Sequence, residues 1–426
     1  MKKDKKLLLD IEDKPKLGQG IILALQHVFA MFGATILVPI LVNNIAGAEV
    51  LTIPVALASS GIGTLLYQLC TKGKSPVYLG SSFAYITPMA VGFAAAGTGG
   101  VFTGIVAVGL IYVLFAIIIK FVGVNWLHKM LPPVVIGPMI MVIGLSLAPT
   151  AISEIGITGT DTISVQSIVI ALVTFISTIV LAIYAKGFFK VIPFLGGMTI
   201  GYITAVILGV VDFTPVKEAA FFSIPHFNFA FVNYALNFKA LLMIAPIALV
   251  TIAEHIGDHT VLSEIVDRDL LKNPGLDKTL LGDGVATLAA GLIGGPPNTT
   301  YGENTAVVGM TKVASTRVLS MAAIFAIAFS FLGKLTAIFG TIPNQVLGGV
   351  AILLYGFISV NGLIVLVKNQ VDFNKTKNVV VAATMLVLGL GGAAINITSG
   401  SFSLSITGMT LAAIVGIVLN LLLKDE

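Results

Sequence analysis

The chain is 426 residues long, 57% hydrophobic and only 10% charged, with a mean hydropathy of +1.03 and a formal net charge of +4. That balance excludes a set of soluble domains and points to a polytopic membrane protein. The single cysteine, Cys70, excludes an internal disulfide and any cysteine-built metal site.

The start, Met1-Lys2-Lys3-Asp4-Lys5-Lys6, is basic, but the apolar run behind it is only Leu7 to Leu9, so no cleavable signal peptide is expected. Apolar blocks of roughly 17 to 25 residues give fourteen candidate spans, beginning near residues 20, 50, 78, 99, 130, 165, 190, 240, 280, 298, 315, 342, 378 and 403. With the N-terminus placed inside, the outer segments hold only Lys217, Lys239 and Lys334, and all other Lys and Arg fall inside. Short cytoplasmic loops produce this asymmetry. Both termini are therefore expected in the cytoplasm, and the net charge reflects orientation with no nucleic-acid partner. Fourteen divides into seven and seven, and an odd repeat inserts its second copy upside down relative to the first.

Span one carries Gln26-His27. A histidine at this depth either donates a hydrogen bond that orients a carboxylate elsewhere or ties helices together. Span three contains Pro76-Val77-Tyr78-Leu79-Gly80-Ser81-Ser82-Phe83-Ala84-Tyr85, which is proline-led and rich in glycine and hydroxyls. Val77 and Tyr78 are strand formers, so the segment reads as extended backbone. Taken alone, its Gly and Ser could merely let helices pack closely.

Span eight, seven after span one, carries Glu254-His255. Glu254 and Asp258 are four apart and share a helix face, while His255 and His259 form a second such pair displaced by about 100 degrees. A low-dielectric site does not keep both acids ionised together, and an acid that takes a proton from one side and releases it to the other can couple a gradient to transport. Asp258 and His259 stand near the cytoplasmic end of this span. His259 is read as solvated there; Asp258 stays open between a solvated and a coupling role. The His pair has a spacing that could hold zinc, but the protease form needs Glu directly after the first His, where Ile256 stands, and no third ligand is evident. No metal site is expected.

Span ten, seven after span three, contains Pro296-Pro297-Asn298-Thr299-Thr300-Tyr301-Gly302-Glu303-Asn304. The prolines spoil a continuous helix, and a carboxylate at membrane depth marks a functional site by default. Broken segments at matching places in two inverted halves point to a transporter's midplane site. Free N–H and C=O groups there can read a small planar ligand, with Phe83, Tyr85 and Tyr301 offering ring faces and a carboxylate offering acceptors.

Together with Leu353-Leu354-Tyr355-Gly356 in span twelve, these pieces resemble the nucleobase-ascorbate transporter family, also called nucleobase:cation symporter type 2, and its bacterial uracil carriers in particular. The likeness runs along essentially the whole chain. It implies an all-α polytopic membrane protein of fourteen transmembrane segments in a 7+7 inverted repeat, with short antiparallel β-strands in spans three and ten. A core domain would comprise residues 1–122 (spans one to four) and 236–336 (eight to eleven), and a gate domain 123–235 (five to seven) and 337–426 (twelve to fourteen). The implied activity is proton-coupled import of uracil and close pyrimidine analogues across the cytoplasmic membrane by alternating access, in a lipid-embedded homodimer with no cofactor beyond the proton. Glu254 and Glu303 would bind the base through their carboxylates, backbone at Phe83 and Gly302 would complete its hydrogen bonds, Tyr301 would shape the pocket, and Tyr355 would face it from the gate. Proton coupling would fall to Glu254, Asp258, Glu303 and His27.

Two positions depart from the family pattern. Asp258 stands where the uracil carriers place a second histidine, a position the family links to proton coupling. Ala306 replaces the glycine of the signature beginning at Glu303-Asn304. Xanthine and urate carriers of the family place Gln where Glu303 stands, so Glu303 favours uracil over the alternative of a purine permease. An anion exchanger or channel on the same scaffold would want basic residues at the broken segments, yet none lies between Pro76 and Gly97 or between Pro296 and Met310. A membrane-embedded hydrolase would need a paired nucleophile and base, and no protease-type motif is present, so an enzyme is not expected.

Overall fold

The computed structural model describes residues 7–159, 164–399 and 402–424; the basic run Met1 to Lys6 lies outside them. In chain order the main helices are α1 (Leu17–Ala46), α2 (Ile53–Cys70), α3 (Ile86–Val122), α4 (Pro133–Ser146), α5 (Ala148–Ile155), α6 (Val165–Tyr184), α7 (Pro193–Ile207), α8 (Ala248–Val266), α9 (Leu276–Ile293), α10 (Gly302–Thr311), α11 (Thr316–Ser330), α12 (Gly333–Gly340), α13 (Asn344–Lys368), α14 (Thr376–Leu390) and α15 (Gly408–Leu422). The strands are β1 (Leu79–Ser81), β2 (Asn298–Thr300), β3 (Ala394–Ser399) and β4 (Phe402–Thr407).

Among the described residues, seven helical stretches are long and apolar enough to cross a membrane: α1, α2, Phe83–Val122, Pro133–Ile155, α6, Phe238–Val266 and α13. Shorter apolar helices are α7, α11, α14 and α15. The remaining sequence blocks are broken or too polar: α9 has the 18 residues of α2 but carries Asp277, Lys278 and Asp283. Blocks three and four share one helical run, interrupted at Gly97 with φ +65, a conformation that glycine adopts at little cost. Block ten is a strand followed by the ten-residue α10.

Leu110, Leu114, Ile117 and Phe121 of α3, and Leu172, Ile176, Val180 and Ile183 of α6, are exposed along one face of each helix. Outward apolar stripes of this kind suit a hydrocarbon surround, since in water they would form aggregating patches.

Packing falls into two neighbourhoods. In one, α9 lies against α2 and α3, and α11 against α1 and α2; in the other, α13 lies against α4, α5 and α6, α6 against α7, and α14 against α4 and α15. Helix α8 touches both, through α10 on one side and α4 on the other. The Leu7–Leu9 run feeds a strap: Leu9 and Ile11 carbonyls accept from Ala314 and Thr316 N–H at 2.8 and 3.0 Å, and Ile11 is buried.

One element differs from the sequence expectation. Where a fourteenth span begins near 403, β3 and β4 pair antiparallel from Ala394 opposite Thr407 to Ser399 opposite Phe402, and helix resumes only at Gly408. Phe402-Ser403-Leu404-Ser405-Ile406-Thr407 alternates with period two, which an averaged hydropathy window does not separate from a helix.

Candidate binding site

Two proline-led segments meet in the interior. Pro76 and Pro296-Pro297 withhold N–H groups and stop helical continuation, and the residues behind them pair antiparallel: Leu79 with Thr300, Gly80 with Thr299, Ser81 with Asn298. Ser82 N–H donates to the Pro297 carbonyl at 2.9 Å and Tyr301 N–H to the Tyr78 carbonyl at 3.1 Å, extending the ladder at both ends. The outer edges are satisfied by neighbouring helices. Thr64 Oγ1 accepts from Leu79 N–H at 2.9 Å, Ser60 Oγ donates to the Leu79 carbonyl at 2.6 Å, and Thr287 Oγ1 donates to the Asn298 carbonyl at 2.8 Å. Extended backbone at membrane depth survives only when its polar groups are paired in this way, which accounts for the hydroxyls along the inner face of α2.

Each strand then enters a helix, β1 through the turn Phe83–Tyr85 into α3 and β2 directly into α10. First-turn N–H groups have no acceptor within their own helix. Phe83, Gly302 and Glu303 line one cavity of about 510 Å³, together with Tyr301, Thr299 and Thr300 from the second segment, and Glu254 and Asp258 from α8. The facing wall includes Phe194 of α7 and Leu354, Phe357, Ile358 and Asn361 of α13. Three carboxylates thus share a lining whose one ammonium group is Lys190. Glu254 Oε2 is buried with no protein partner among the described residues. Asp258 Oδ2 accepts a short hydrogen bond from Thr300 Oγ1. The Tyr301 hydroxyl donates to the Ser81 carbonyl at 2.9 Å and accepts from Thr35 Oγ1 at 3.1 Å, which pins the ring.

Of the residues singled out from the sequence, Phe83, Glu254, Asp258, Tyr301, Gly302 and Glu303 meet in this cavity. Tyr355 is buried behind it, edge-on to Phe83 with ring centroids 6.1 Å apart. His27 is not in the wall. Its Nδ1 and its carbonyl accept from the Asn304 amide at 3.2 and 3.1 Å, so it ties α1 to α10.

The solvated reading of His259 is overturned. Helix α8 continues to Val266, and His259 is buried. Its Nδ1–H donates to the His255 carbonyl at 2.8 Å and its Nε2 accepts from the Tyr67 hydroxyl at 2.7 Å. His255 stacks on it at 4.0 Å, donates from Nδ1 to Asp283 Oδ2 at 2.7 Å and accepts from Thr279 Oγ1 at 2.9 Å. These partners fix both tautomers. Asp283 and Thr300 escaped the sequence reading. Asp283 had a usable signal, a lone acid inside the run Leu280–Ala290; the hydroxyl of Thr300 had none.

The family model described as "Permease family" matches residues 18–398. The chain is 48% identical over 424 residues to the uracil permease of Bacillus caldolyticus, covering 99% of this chain and 96% of that protein. It is 44% identical over 427 residues to the uracil permease of Bacillus subtilis (strain 168), with 99% and 96% covered. It is 41% identical over 420 residues to that of Escherichia coli (strain K12), with 98% and 94% covered. Among solved structures, the transmembrane domain of the cyanobacterium bicarbonate transporter BicA superposes with a TM-score of 0.60 at 16% identity, covering 96% of this chain and 98% of that one. SLC26A9 gives 0.66 at 12% identity, covering 96% and 66%. At such identities the two structures share the fold alone.

Proposed function

The chain belongs to the permease family whose model spans residues 18–398, and we propose that the cavity between the strand ladder and α13 is where it carries uracil. The protein is a uracil transporter of the membrane, not an enzyme. One observation carries the site assignment: Glu254 and Glu303 reach the same cavity from different elements, beside helix beginnings at Phe83 and Gly302. Uracil has two ring N–H donors and two carbonyl acceptors, so two carboxylates and two backbone N–H groups match its edge. Phe83 and Tyr301 supply ring faces for the base. The three carboxylates of the lining argue against an anion as cargo, and Glu303 in place of an amide argues against purines.

In this reading the fourteen segments form a 7+7 inverted repeat, with residues 1–122 and 236–336 as core and 123–235 and 337–426 as gate. The two packing neighbourhoods support that division. Rocking of one against the other would expose the base to each side in turn. Glu254, Asp258 and Glu303 are the groups that exchange the coupled proton, with His27 acting at a distance through Asn304; no other cofactor takes part. The carrier works as a homodimer in the lipid of the cytoplasmic membrane, with both termini inside.

The test is uptake of labelled uracil in cells lacking their own permease. We expect uptake that stops when the proton gradient is dissipated and a severe loss of affinity in Glu303→Ala. Uptake indifferent to the gradient overturns the coupling, and unchanged affinity in Glu303→Ala overturns the site.

A further inference from the structure

Helix α13 lines the cavity with Leu354, Phe357, Ile358, Asn361 and Ile364, a recurrence at helical spacing that is apolar except at Asn361. An amide on such a face costs desolvation unless it meets a polar group. The Asn361 side chain makes no hydrogen bond within the described residues and is exposed to the cavity. Its place is fixed from behind. A Cβ on the next residue, Gly362, would run into the Gly137 carbonyl and Met141 of α4, so the two helix backbones touch there and α13 cannot turn without separating them. In front, Asn361 Nδ2 lies 3.5 Å from where a Cβ on Gly302 would stand. It therefore faces the first turn of α10, where the N–H groups lack helical acceptors.

We propose that Asn361 is a further substrate-binding and specificity-determining residue: its Nδ2–H donates to the same ring carbonyl that the Gly302 backbone N–H holds. This rests on the reading of the cavity as the uracil site. A carbonyl oxygen has two lone pairs. Gly302 takes one from the α10 side and Asn361 takes the other from α13. The base then bridges the two walls, and its fit depends on a true carbonyl at that one ring position. Sulfur is a weak acceptor, so a thiocarbonyl there forfeits both bonds while one at the other ring position does not.

The experiment measures inhibition of labelled uracil uptake by uracil, 2-thiouracil and 4-thiouracil in wild type, Asn361→Ala and Asn361→Leu. Affinity ratios do not depend on how much carrier reaches the membrane, and the leucine variant, which matches its apolar neighbours on α13, serves if the alanine variant fails to accumulate. The expected result is about tenfold weaker uracil affinity in the variants. Discrimination against one thio isomer should shrink by a similar factor, with discrimination against the other unchanged. If both ratios match wild type, Asn361 does not touch the base and the inference is overturned while the site stands. A wild type that does not take up uracil overturns the site reading and this inference together.

Discussion

The ring of Tyr301 fills the space that a side chain at Gly80 would need: a Cβ there would lie among the ring carbons Cζ, Cε1 and Cε2. The ring cannot swing aside, because its hydroxyl is held by the Ser81 carbonyl and Thr35. Glycine in β1 is thus matched to tyrosine after β2, and the match sets where Gly302 and Glu303 begin α10.

We therefore expect Gly80→Ala to push the two segments apart. Overpacking of this kind costs about 1–3 kcal/mol, and the displacement carries directly to Glu303. Uracil affinity should fall about tenfold or more, with a lower Tm of the solubilised protein. A Gly80→Ala carrier with wild-type affinity would show that the ring adapts freely.

Thr300→Val keeps the shape of the side chain and removes the hydroxyl that donates to Asp258. Leaving a buried acceptor unpaired costs about 1–3 kcal/mol, and here the unpaired group lines the cavity. Uptake should drop severalfold in Thr300→Val and survive in Thr300→Ser. Loss in Thr300→Ser with survival of Thr300→Val would mean that the methyl group, not the bond, is what matters.

Glu303, the prolines before it and the broken segment at Pro76 were legible in the sequence because a charge and helix breakers stand out against an apolar background. The residues that complete the site were not. Ser60, Thr64 and Thr287 read as ordinary small residues of apolar helices, and only the ladder explains them. Asp258 and His259 stand at the polar end of a span, where polarity alone does not tell solvent from a buried partner; Thr300 and Tyr67, far away in sequence, make the difference. The hairpin of β3 and β4 was hidden by averaging, since six alternating residues have the mean hydropathy of a weak helix.

Asp283 supports α8 from behind the cavity. Asp283→Leu leaves the Nδ1–H of His255 buried without its acceptor, at a cost of about 1–3 kcal/mol, whereas Asp283→Asn retains an amide oxygen for it. Thermal unfolding should show a clear loss for leucine and a smaller one for asparagine. The same loss in both would assign the role to charge and not to the hydrogen bond.

Lys368 at the end of α13 pairs with Glu264 near the end of α8, and both side chains are about half exposed. Such a pair contributes roughly 0.2–1 kcal/mol and weakens with salt, so its removal should hardly change Tm. It does tie α13 to α8, the helix that touches both packing neighbourhoods. Reversing one charge, as in Lys368→Glu, is expected to alter the rate of uptake, and adding Glu264→Lys to restore it. Unaltered rates in both single reversals would make the pair incidental.

The ladder between β1 and β2 also dictates an order of events during synthesis. Its strands are separated by roughly two hundred residues of chain, a large loop to close, and a nascent protein emerges from its N-terminus. While the later half is still being made, Thr64 and Ser60 already hold both backbone groups of Leu79, but the Tyr78 carbonyl and the Ser82 N–H, which later pair with Tyr301 and Pro297, have no partner. The ladder consequently cannot close until Thr300 has been made. A ribosome that stops before Asn298 releases a chain whose first half carries an unpaired strand edge at its centre, the kind of backbone that hydrocarbon does not tolerate.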